Sequence, residues 1–141
     1  MTRVVAAITI SLDGYGTGPN DGPGNGLGDG GERLHYWVFG DPWSYEAAPT
    51  GEATGADKEY LDGGIARAGA VVVGRGMDEA AEAWGGQNPI GVPLFVVTHQ
   101  PVDAPSQGGF TFVDGLDEAI TRARRPGRIG RRRRARDPSG D

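Results

Sequence analysis

The stretch VVVGRGMDEAAEAW, residues 71–84, brings together the residue types that hold a phosphate. Ala70 to Val73 predict a short buried strand, Gly74-Arg75-Gly76 a tight turn, and Met77 to Trp84 a helix with Asp78 and Glu79 in its first turn. A strand that hands such a turn to a helix start places free backbone N–H groups and a guanidinium at one point, which is what an anion requires. The same residues serve equally well as a packing turn with Arg75 in solvent, and residue types alone do not separate the two.

Few other residues have comparable capacity. Asp13 before Gly14 either closes a strand or offers a carboxylate to a reaction. The two histidines, His35 and His99, are too far apart in sequence to suggest a metal site, and His35 reads as packing rather than as a ligand contact. The chain has no cysteine, which removes disulfides, thiolate ligands and thiol nucleophiles and fits a reducing, cytoplasmic setting. Trp37, Trp43 and Trp84 read as core or pocket wall, and Glu79 and Glu82 as a solvated helix face.

The elements that must position these residues follow from hydrophobic pattern and turn chemistry. Residues 3–12, RVVAAITISL, are β-rich and apolar on both faces, which predicts a buried central strand ending at Asp13-Gly14. Residues 13–31 have glycine at nearly every second position, a composition that suggests either disorder or a functional loop. Residues 32–39 predict a short aromatic helix stopped by Pro42. Thr54 and Asp57 have capping-box-like spacing, and Leu61, Ile65 and Ala68 then recur on one face of a helix ending at Gly69. Residues 93–99 and 110–113 predict strands, and Asp114 is placed to cap a helix whose Leu116, Ala119, Ile120 and Ala123 share a face. This order predicts an α/β sandwich with a mainly parallel sheet.

The 141-residue length fits one domain. Glycine, at 26 residues, far exceeds average usage, so loops take an unusual share. No apolar run approaches the roughly 18 residues of a membrane span. Charge is unevenly distributed: nine of the 14 basic residues and only two of the 19 acids follow position 121, leaving residues 1–121 with a formal charge of −12. An acidic body of this kind repels nucleic acid and acidic membranes.

Four motifs in consistent order extend these readings. ITISLDGYGTGPND (8–21), AVVVGRGMDEA (70–80), VPLFVVTHQP (92–101) and FTFVDGLDEAITRAR (110–124) together resemble the dihydrofolate reductase-like fold. The similarity is greatest to the C-terminal reductase domain family of the bacterial bifunctional riboflavin-biosynthesis deaminase-reductases. The resemblance covers residues 3–124 and implies a three-layer α/β/α sandwich acting as an NADPH-dependent reductase on a small pyrimidine- or pteridine-like ring. It implies that Gly74, Arg75 and Met77 hold the adenosine-side phosphate of NADPH, with Arg75 selecting the 2′-phosphate, and that Thr98 and His99 line the adenine side. It further implies that Asp13 and Gly14 lie near the nicotinamide, Asp13 being the candidate catalytic carboxylate. Leu34, Trp37 and Phe39 would wall the substrate pocket. An intact member would be a homodimer in the cytoplasm, with a small-molecule substrate, no metal and no membrane partner.

The resemblance stops at the ending RRPGRIGRRRRARDPSGD. The family continues there with a Val-rich strand, a Gly-Gly turn that cradles the NADPH pyrophosphate, and further strands, whereas residues 126–141 predict no strand. Arginine codons of the CGN type read one base later encode Val, Ala, Gly, Asp or Glu, so a frameshift near residues 124–127 accounts for the tail as a non-native extension of a reductase domain spanning 1–125. Two alternatives remain open at this point: a truncated nucleotide-binding module without turnover, and a disordered Arg-rich arm that binds nucleic acid. On all three readings, a sheet that stops after its fourth strand leaves an apolar edge and uncovered helix faces, which predicts poor expression or soluble aggregate for the 141-residue product.

Overall fold

The computed structural model describes residues 2–47, 49–99 and 109–125. The Arg-rich tail, 126–141, lies outside the described residues. At the centre is a three-stranded parallel sheet, β1 (Val71–Gly74), β2 (Leu94–Val97) and β3 (Phe110–Val113), in the order β1-β2-β3. Val71 is opposite Leu94, and Leu94 opposite Phe110, so all three strands present their carboxyl ends at one rim. This is the mixed α/β architecture with a parallel sheet that the alternating pattern predicts.

Strand alternation divides the core in two. Leu94, Val96 and Phe110 are buried on one face, where Val71, Val73, Phe112, Trp84 and Ile90 pack against them. Phe95 and Val113 are buried on the other, covered by Ala119 and Ala123 of α4 (Leu116–Ala123). Trp84 stacks on Phe110 at 6.0 Å between ring centroids and 17° between planes. It belongs to a 3-10 turn, Glu82–Gly86, that follows α3 (Arg75–Ala80). Both faces of the sheet are therefore covered, as strands that are apolar at nearly every position require.

Several boundaries move. The helix at Arg75 begins directly after β1, with Gly74 as its N-cap, so Arg75 and Gly76 are helical rather than part of a free turn. That helix ends at Ala80, and the expected continuation to Trp84 tightens into the 3-10 turn, with Glu82 and Trp84 at positive φ. Gly115 caps α4 in place of Asp114, and no side chain bonds the helix start. α2 (Gly55–Arg67) has Thr54 at its N-cap as expected, but without a side-chain cap bond. It packs against α1 (Tyr36–Phe39) rather than the sheet, and Ile65 on its apolar face stays half-exposed.

The largest departure is at the start of the chain. Residues 3–12, expected as a buried central strand, form no strand, and Val4, Val5, Ile8, Ile10 and Leu12 are exposed. Pattern alone specifies a strand, but a strand needs a neighbour, and among the described residues this segment has none.

The glycine-dense loop, in contrast, is folded. Gly18 N–H donates to Leu27 O and Asp29 N–H to Pro19 O, each at 2.7 Å. The Asp29 carboxylate accepts from Asn20 Nδ2 at 2.7 Å and from Asn25 Nδ2 at 3.0 Å. Asn25 Nδ2 also donates to Asn20 O at 3.1 Å. Glycine is required where backbones touch: a Cβ on Gly26 would reach within 2.5 Å of Ala80 Cα and O, so this residue docks the loop onto α3. A 3-10 turn, Gly31–His35, then leads into α1.

Candidate functional site

A shallow cleft of about 350 Å³ opens at the carboxyl rim of the sheet, lined by Arg75, Val97, Thr98 and His99. Its position follows from the topology. β1 delivers Arg75 to the first turn of α3, and β2 delivers Val97, Thr98 and His99 beside it. In open parallel sheets the space beyond the strand carboxyl ends is where ligands bind, because loops there are free to vary over a fixed scaffold.

The lining residues differ in freedom. Thr98 is buried, and its N–H donates to Val113 O at 3.0 Å, which extends the β2–β3 ladder by one bond. Arg75 is half-exposed, and its Nε donates to Glu79 Oε1 at 2.6 Å one helical turn away. His99 is almost fully exposed, with Nδ1 3.7 Å from Asp114 Oδ1, a separation at which protonated imidazole forms an ion pair. Among the described residues that line the cleft, the guanidinium is the one permanent positive charge.

The helix that carries Arg75 also carries an unusual carboxyl. Asp78 is buried in α3 and its Oδ1 has no hydrogen-bond partner. Loss of solvent pushes its pKa above the ordinary carboxylate value, reinforced by the charge of Glu79 and opposed by Arg75.

The structure thus gathers three of the residues that sequence reasoning singled out, Arg75, Thr98 and His99. Gly74 is the immediate N-cap before Arg75, while Met77 is exposed on α3 and does not line the cleft. The remaining candidates lie elsewhere. Asp13 sits in an exposed turn, where its Oδ1 accepts from Ser11 Oγ at 2.5 Å; Gly14 N–H donates to Ser11 O at 3.0 Å, with Gly14 at φ +91°. Leu34, Trp37 and Phe39 are half-buried in and beside α1. Trp37 meets Tyr60 of α2 at 6.1 Å, and Phe39 meets Trp43 edge-on at 5.4 Å.

Two contributors were missed from sequence. Glu79 reads as solvated surface, yet its spacing of four from Arg75 is the signal for a helical ion pair. Asp114 reads as a helix cap but faces His99 instead. Among the described residues, no group of three or more His, Asp or Glu is placed to hold a metal ion, and no helix is long and apolar enough to cross a membrane.

No family model matches the sequence, and no curated protein is significantly similar to it.

Proposed function

We propose that the cleft at Arg75, Thr98 and His99 binds the phosphate-bearing adenosine end of NADPH, and that the chain derives from a reductase of the dihydrofolate reductase-like, riboflavin-biosynthesis class. The observation that carries this reading is the position of Arg75: a cation on the first turn of a helix that leaves a parallel strand at its carboxyl end, beside the end of the next strand. The four lining residues cover a shallow surface of the size of a phosphorylated ribose, so they would hold one end of the cofactor. Arg75 would take the 2′-phosphate through its guanidinium, Thr98 would fix the adjoining wall, and His99 would close the exposed side. NADPH, when bound, supplies hydride for reducing a small heterocyclic ring.

A second reading, a nucleotide-binding module without turnover, is favoured by the separation of Asp13, Leu34, Trp37 and Phe39 from the cleft. On this reading the adenosine half of the site is kept and the reducing half is not assembled.

Titration of NADPH and NADH against tryptophan emission tests the common premise. Arg75→Ala should weaken NADPH about tenfold while leaving NADH nearly unchanged, since a charge-assisted bond to phosphate contributes roughly 1.5–3 kcal/mol. Equal loss for both cofactors removes Arg75 from the 2′-phosphate role. NADPH oxidation in the presence of pyrimidine and pteridine substrates separates the two readings.

A further inference from the structure

We infer that residues 3–12 form an intermolecular strand that adds to the open β1 edge of a second copy of this chain. The inference stands independently of the nucleotide reading. Val5 and Ile8 are 79% and 81% exposed, and Val4, Ile10 and Leu12 accompany them, which is a contiguous apolar segment of a kind that soluble surfaces avoid. No backbone N–H or C=O of residues 2–10 has a hydrogen-bond partner among the described residues.

The same chain carries a matching deficit. Val71 N–H donates to Pro93 O, so in a parallel ladder Val71 and Val73 turn their backbone groups toward β2, and Val72 and Gly74 turn theirs outward. Gly74 C=O is taken as the N-cap acceptor of α3, which leaves the Val72 N–H and C=O and the Gly74 N–H without a partner among the described residues, a short template for another strand.

Three features make a second copy the fitting occupant. The segment is apolar on both faces, which suits a sheet covered on both faces and not a half-solvated one. Its only charge is Arg3, and β1 has none, so pairing brings no carboxylates together even though the body of the chain is strongly acidic. The segment runs into the Ser11–Tyr15 turn and a loop docked on α3, and among the described residues it pairs with no strand of its own sheet. Exchange between two copies would satisfy both edges twice, once in each direction.

The test uses the full chain. Sedimentation of the unmodified protein should show a concentration-dependent dimer. Ile8→Pro, which removes a backbone donor, and Val5→Lys should each raise the dimer dissociation constant at least tenfold. Both positions are exposed, so an unchanged thermal melt at low concentration confirms that the monomer stays folded. Because the protein lacks cysteine, Ile8→Cys and Gly74→Cys accept single spin labels, and Gly74 has open space for a side chain. Dipolar broadening on mixing the two singly labelled chains supports the inference. It is overturned by a monomer at about 100 µM, by a dimer indifferent to both substitutions, or by broadening that persists when a doubly labelled chain is diluted into unlabelled protein, which places the strand on its own edge.

Discussion

Arg75 and Glu79 are joined by a 2.6 Å hydrogen bond across one turn of α3, so the cation that faces the candidate cleft is partly neutralised by its own helix. An incoming phosphate must compete with this carboxylate. The pair is solvent-exposed, where such bonds contribute about 0.3–0.5 kcal/mol. Glu79→Gln should therefore tighten NADPH about twofold, and more at low ionic strength. Weaker binding in that variant would show that Glu79 positions the guanidinium rather than competing for it.

His35 links stability to mild acid. Burial lowers its pKa below the ordinary 6.5, and its Nδ1 has no hydrogen-bond partner. The folded state therefore binds a proton less readily than the unfolded chain. The contribution of His35 is complete above pH 6.5 and is lost as pH falls through the lowered folded value. Urea unfolding between pH 7.5 and 5 should show declining stability, and His35→Phe should remove that slope. A slope retained in the variant assigns the effect to another group.

Asp78 has the opposite sign. Its raised pKa means that the folded state holds the proton more tightly than the unfolded chain, whose carboxyl titrates near 3.8. Stability from this group is greatest below that value and is lost as pH rises through the folded value. At pH 7, Asp78→Asn removes a buried charge and should stabilise the fold by about 1 kcal/mol, with little difference at pH 3. Destabilisation at pH 7 would mean that the carboxylate has a partner in solution.

Leu94 is fully buried at the centre of the sheet. Leu94→Ala should cost about 3 kcal/mol in chemical denaturation. Loss of under about 1 kcal/mol would show that the core collapses around the gap or is poorly packed.

Local sequence made the sheet legible because each of its strands is a short apolar run with strong turn punctuation, and residues 110–113 fall at the expected bounds. Of the cleft residues, only Arg75 is singled out by its local turn; Thr98 and His99 come from the resemblance, and all three lie where two such strands end. Residues 3–12 show the limit of this approach. Their pattern specifies a strand as clearly as that of residues 71–74, yet pairing depends on a neighbour that local pattern cannot supply. Glycine content misleads in the other direction: residues 13–31 have too little side chain to suggest order, and it is the convergence of two asparagine amides on Asp29 that supplies it. Glu79 was missed because its solvent exposure and its bond to Arg75 are compatible.

That convergence also governs how the protein ages. Asn25 precedes Gly26, a pair in which the glycine nitrogen can attack the asparagine side-chain carbonyl, close a succinimide and release ammonia, leaving aspartate or isoaspartate after hydrolysis. In the folded loop the Asn25 amide is tied to Asn20 and Asp29, and Gly26 is pressed against Ala80, so the ring cannot readily close. Opening the loop frees both groups. Conversion would then set a new carboxylate beside that of Asp29, replacing an attraction with a repulsion, and the loop would not close again in the same form.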